Sequence, residues 1–134
     1  MTIAAVADTH TALWHLFGDS RLSPVAAEYI LEAARTRRKI AVSSITLAEI
    51  VYLVEKNRLP AEAYNTLASA LADPEHVFAE AVFTAAIVES MRQVPRSEVP
   101  DLPDRMIAAT ALYFGVPVIS RDGRILTSSV PTVW

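Results

Sequence analysis

The sequence has no cysteine, only 3 glycines, and no apolar run long enough to cross a bilayer. Each absence closes a class. Without thiols there is no disulfide framework and no thiolate metal centre, which fits a reducing compartment. Isolated glycines leave no Gly-rich phosphate loop. A membrane span needs about 20 apolar residues. The opening MTIAAVADTH lacks a basic n-region and meets Asp8 early, so it does not read as a signal peptide. A soluble cytoplasmic protein with no membrane partner is expected. Basic charge is also scarce. The net charge is −3, whereas nucleic-acid-binding domains are usually basic. Acids that gather around divalent cations, however, stop counting as free negative charge.

What is present is a core. Apolar residues make up 52% of 134 positions, which suits one domain over 1–134 and argues against disorder. Strand candidates are short: 2–7, 39–43, 76–82, 116–120 and 132–134. Helical patterns lie between them, over 11–17, 23–39, 46–57, 61–72, 81–92 and 103–114. Ser23 before Pro24 is a start signal, and Gly115 a stop signal. The strands are apolar throughout rather than alternating. That pattern predicts a three-layer α/β domain with a central, mostly parallel sheet flanked by helices.

In open α/β sheets, ligands collect outside the carboxyl ends of the strands, and acids stand at several of those ends. Asp8 follows the first strand; it either caps the next helix through the Thr9 and His10 amides or serves as a ligand. Asp122 follows the fourth, in the turn-like RDG. Glu49 lies within ITLAEIVYLV. A helix that apolar is expected to be buried all round, so its one acid needs a partner. PDLPDR (100–105) places Asp101 and Asp104 at the start of a helix. Asp101 could be its N-cap and Asp104 could sit near the positive end of its dipole, or the helix could deliver a carboxylate to a metal. Asp104 lines up with Ile107, Ala108 and Ala111 along the packed stripe, which is odd for a cap. This helix precedes a parallel strand, and its start is expected on the opposite edge unless residues 93–103 cross over. Carboxylates that do converge repel one another unless cations intervene. With no Cys and scattered His10, His15 and His76, an all-oxygen site selects Mg²⁺ or Mn²⁺.

These residues resemble the PIN domain, and within it the VapC-type toxins of bacterial toxin–antitoxin pairs. The likeness is carried by Val6, Asp8, Thr9 and His10, by Ser43 through Glu49, by PDLPDRMIAATAL and by VISRD. It runs from about residue 3 to Trp134. The resemblance implies a metal-dependent endoribonuclease with its acids in a central groove, and it puts the 103–114 helix start at that groove. Carried over by position, Asp8, Glu49, Asp104 and Asp122 are the catalytic and metal-holding acids. Asp101 matches a less constant acid, with Leu102 and Pro103 in reversed order, and ranks below them. Thr9, Ser43 and Ser120 match supporting polar positions. A homodimer and an antitoxin that covers the groove are further implications.

Arg105, Arg121 and Arg124 lie beside the acids in sequence and are candidates for contacting RNA phosphates. The run RTRRK (35–39) reads as a solvated helix end. A catalytically silent RNA-binding or regulatory module of the same fold would be marked by a missing acid, and none of the four is missing. A metal-dependent phosphatase is the other alternative. An aspartyl-nucleophile version needs an acid two residues after Asp8, where His10 stands.

Overall fold

Short strands that are apolar on both faces must be covered on both faces, and helices do this here. The computed structural model describes residues 2–134. Among the described residues the elements run β1 (Ile3–Ala7), α1 (Thr9–Leu16), α2 (Pro24–Arg35), β2 (Lys39–Ser43), α3 (Ser44–Glu55) and α4 (Glu62–Ala72). They continue β3 (Phe78–Ala81), α5 (Ala85–Met91), α6 (Leu102–Phe114), β4 (Val118–Ile119), α7 (Gly123–Leu126) and β5 (Thr132–Val133). The strands form one sheet in the order β3-β2-β1-β4-β5, and every pairing is parallel.

Alternation along each strand distributes side chains between two cores. Ala5, Ala7, Ile40, Val42 and Ile119 join Leu13 of α1, Ile30 of α2 and Leu67 of α4 on one face. Val6, Ala41 and Val118 join Ile87 of α5, Ile107 of α6 and Ile125 of α7 on the other. The three-layer, parallel expectation holds. The order also fixes where function belongs. The chain winds from β1 outward through β2 to β3, then returns to place β4 on the opposite side of β1. The crevice beside β1 and β4 is the topological switch point, the usual ligand site of such sheets.

Several expectations are corrected. The start of α6 lies at the carboxyl edge, and residues 93–101 lead to it from Gln93 and Val94, which lie beside the end of the same helix. A crossover helix runs antiparallel to its strands, so the helix before a parallel strand begins at that edge. The α2 helix stops at Arg35 rather than 39, because Arg37 takes a left-handed backbone (φ 57) that turns the chain into β2. Lys39 then ties down the loop before β3 by donating to the carbonyls of Pro74 and His76. The RDG segment opens the short α7 helix instead of a plain turn. Finally, α3 is not buried all round: Ile50 is fully buried, but Val51 and Tyr52 are 42% and 55% exposed.

Candidate functional site: an acidic groove at the switch point

Asp8 stands where β1 ends. Its amide donates to the Ile119 carbonyl of β4 (3.2 Å), and its carboxylate accepts from the Thr11 amide (2.9 Å) as the N-cap of α1. That cap contact is to Thr11, the third helical residue, and not to Thr9 or His10. Asp8 is almost buried, with 7% exposed. Asp122 is set the same way from β4. Its amide donates to Ser120 Oγ (3.0 Å), while its carboxylate accepts from the Arg124 and Ile125 amides (2.9 and 3.1 Å). Asp101 caps α6 by accepting from the Asp104 amide (3.1 Å).

Glu49 has the partner that its apolar setting demanded, from an unforeseen direction. Thr9 Oγ1 donates to Glu49 Oε1 at 2.7 Å, and Thr9 and Thr46 hydroxyls share a buried contact of 3.2 Å. The α1 start and α3 are thereby linked through one carboxylate. Ser43 acts differently from Thr9: its hydroxyl caps α3 by accepting from the Ile45 amide (3.1 Å).

Asp8, Glu49, Asp101, Asp104 and Asp122 all line one groove of about 490 Å³, together with Thr9, His10, Trp14, Arg21 and Arg121. Asp104 carries the electrostatic signature of this assembly. Partial burial, followed by the charges of Asp101, Asp122, Asp8 and Glu49, pushes its pKa up to about 7. A carboxylate held near neutrality by desolvation and like charge is a feature of functional sites. As the side chains stand, among the described residues no three His, Asp or Glu groups are close enough to share one ion. The donor set itself, all carboxylate oxygen without thiolate, suits a hard divalent cation.

The candidate arginines separate. Arg105 does not line the groove; its guanidinium donates to the carbonyls of Val94 and Met91 (both 3.0 Å) and clasps the α5–α6 connection. Arg124 lies exposed on α7, away from the groove lining. Arg121 lines the groove, with its guanidinium carbon 4.6 Å from the Trp14 ring centroid. Trp14 and Arg21 were not singled out from the sequence. The available signal was the spacing of His10 and Trp14, four residues apart and therefore on one helical face.

A protein-family model described as PIN domain matches residues 5–127. The chain belongs to the PIN domain family. Ribonuclease VapC22 of Mycobacterium tuberculosis (strain ATCC 25618 / H37Rv) is 30% identical to this PIN domain over 130 residues, covering 95% of each protein. Among solved structures, VapBC2 from Rickettsia felis bound to a DNA fragment from their promoter superposes with a TM-score of 0.69 at 17% identity. A toxin–antitoxin complex from Klebsiella pneumoniae does so with a TM-score of 0.65 at 23% identity. Each match covers 98% of this PIN domain and 97% of the matched chain. At these identities the structures establish the fold, and the ribonuclease places the PIN domain beside VapC-type proteins.

Proposed function

We propose that this PIN domain is a Mg²⁺- or Mn²⁺-dependent endoribonuclease and the toxin of a toxin–antitoxin pair. The observation that carries the reading is the convergence of Asp8, Glu49, Asp101, Asp104 and Asp122 on one groove at the switch point. Asp8, Glu49, Asp104 and Asp122 would hold the cation, with Asp101 in a lesser role. A bound cation supplies the charge that a phosphodiester requires at its oxygens and makes water a better nucleophile. The chain's own contribution is positional. Asp8 and Asp122 are fixed by helix-cap hydrogen bonds, and Glu49 by Thr9. Asp104, whose pKa burial and then the neighbouring acids raise to about 7, would hold the cation in its deprotonated form.

The alternatives are less well supported. A silent RNA-binding module has no use for this full set of acids. A small-molecule phosphatase fits poorly with a groove whose lining includes Arg21 and Arg121. The toxin assignment draws on VapC22 and on toxin–antitoxin complexes of the same fold. By that analogy the domain works in the cytoplasm as a homodimer and is restrained by a cognate antitoxin. Among the described residues no helix is long and apolar enough to cross a membrane.

The test is induced expression followed by sequencing of new RNA 5′ ends, paired with incubation of purified protein and RNA with Mg²⁺, Mn²⁺ or EDTA. Discrete cleavage that needs the divalent ion is expected. Hydrolysis of small phosphomonoesters without RNA cleavage would overturn the reading in favour of the phosphatase.

A further inference from the structure

The groove holds two arginines, and both lie over the Trp14 ring, with guanidinium carbons 5.1 Å (Arg21) and 4.6 Å (Arg121) from its centroid, but their donors are used differently. Arg21 is spent on Asp19, donating from Nε (3.1 Å) and from a terminal nitrogen (2.7 Å). That pairing holds the Asp19 carboxyl down at about 2. Arg121 shares its groove with five carboxylates, yet among the described residues it forms no ion pair. Its guanidinium has the Trp14 face without the carboxylate partner that Arg21 also has.

An aromatic face is an informative support for a cation. The ring attracts the guanidinium through its π face, while the N–H donors point outward in the guanidinium plane and stay available to a third group. A carboxylate partner would consume those donors. The support here is also rigid. Trp14 is 6% exposed, with Trp134 5.9 Å and His10 5.6 Å away between ring centroids. The Arg121 backbone is pinned between Ser120, which receives the Asp122 amide, and Asp122, which caps α7.

We propose that Arg121 binds a backbone phosphate of the RNA strand beside the acids, and that Trp14 is the positioning residue that keeps Arg121 off those acids and ready for it. The inference rests on the endoribonuclease reading and deepens it. A phosphate matches the in-plane fork of a guanidinium, which grips two oxygens at once. It also resolves how RNA approaches an acidic groove: one guanidinium in the lining keeps its donors out of any ion pair.

The experiment measures kcat and KM for cleavage of an unstructured RNA oligonucleotide across a salt series, with Mg²⁺-induced melting shifts as a check on the acids. Arg121→Gln is expected to raise KM about 10-fold with a smaller change in kcat. It should also flatten the slope of log kcat/KM against log salt by roughly 0.7, the value of one single-strand phosphate contact. Arg121→Lys should restore the slope but not KM, because an ammonium carries the charge without the fork. Trp14→Leu should reproduce the KM defect while keeping the Mg²⁺ melting shift, and Trp14→Phe should recover most of the loss. If Trp14→Leu does not fold, Trp14→Phe and the two Arg121 variants decide. Arg92→Gln, which removes an exposed ion pair to Glu89, is the neutral control.

An Arg121→Gln enzyme with unchanged KM and salt slope, beside an active wild type, overturns this inference and leaves the endoribonuclease reading intact. A wild type that cleaves no RNA with any divalent ion overturns that reading, and the inference with it.

Discussion

At the scale of single residues, Asp104 is where the account is most exposed to measurement. In the folded protein it keeps its proton up to about pH 7, whereas an ordinary Asp releases it near 3.8. The folded state thus binds more protons between those values, and its stability without metal falls as pH rises through that window. Asp104→Asn removes the penalty. Metal-free at pH 8, it should be more stable than wild type by about 1–2 kcal/mol, after discounting for solvent screening. His15 works in the opposite direction, since burial lowers its pKa below 6.5. Its unfolded form takes up protons first, so stability drops as pH falls below about 6.5. Melts of the Asp104→Asn protein between pH 8 and 5 should accordingly fall more steeply than those of wild type. Metal affinity should follow Asp104 as well, rising through about pH 7 at subsaturating Mn²⁺. Parallel melting curves for the two proteins would contradict the assignment. Thr9→Val leaves Glu49 without its hydroxyl donor and is expected to weaken Mn²⁺ binding about 10–100-fold, read by calorimetric titration.

Among the elements, α6 and α7 show how a residue can be a cap and a groove wall at once. Asp101 and Asp122 both satisfy amides at helix starts, and both line the groove. Capping and ligation were rival explanations only while the residues were read one at a time. The parallel sheet was legible because strands covered on both faces are apolar at successive positions, as in IAAVA and KIAVS. The limits of α2 and the existence of α7 were not, since they depend on the left-handed backbone of Arg37 and on a four-residue turn held by one carboxylate. The α3 helix misled for a different reason. Its apolar run covers its whole circumference, yet only one side meets the core, leaving Val51 and Tyr52 in solvent. Arg105 was misjudged by proximity in sequence, for its side chain reaches back to α5 and not toward the acids. Arg105→Met should therefore destabilise the fold by roughly 1–3 kcal/mol through two orphaned carbonyls. Per folded molecule it should cleave RNA as wild type does, and a folded but inactive variant would return Arg105 to the site.

For the whole molecule, a net charge of −3 and a nucleic-acid substrate are compatible if the acids are counted by location. Five of them line one groove, where under the proposed function a bound cation would invert the local charge that RNA meets. The fold makes this economical, because the switch point brings the ends of β1 and β4 together and adds the starts of α3 and α6. That convergence, and the cation it implies, is the central claim. The most direct test is the RNA cleavage rate of wild type and Asp104→Asn at equal folded concentration, across a Mn²⁺ titration. Wild-type cleavage should rise with Mn²⁺ and vanish in EDTA, while Asp104→Asn stays folded and loses activity by orders of magnitude. Asn matches Asp in size and keeps the backbone amide that Asp101 caps, but lacks the charge that holds a hard cation. Wild-type rates from Asp104→Asn, or cleavage indifferent to EDTA, would contradict the account.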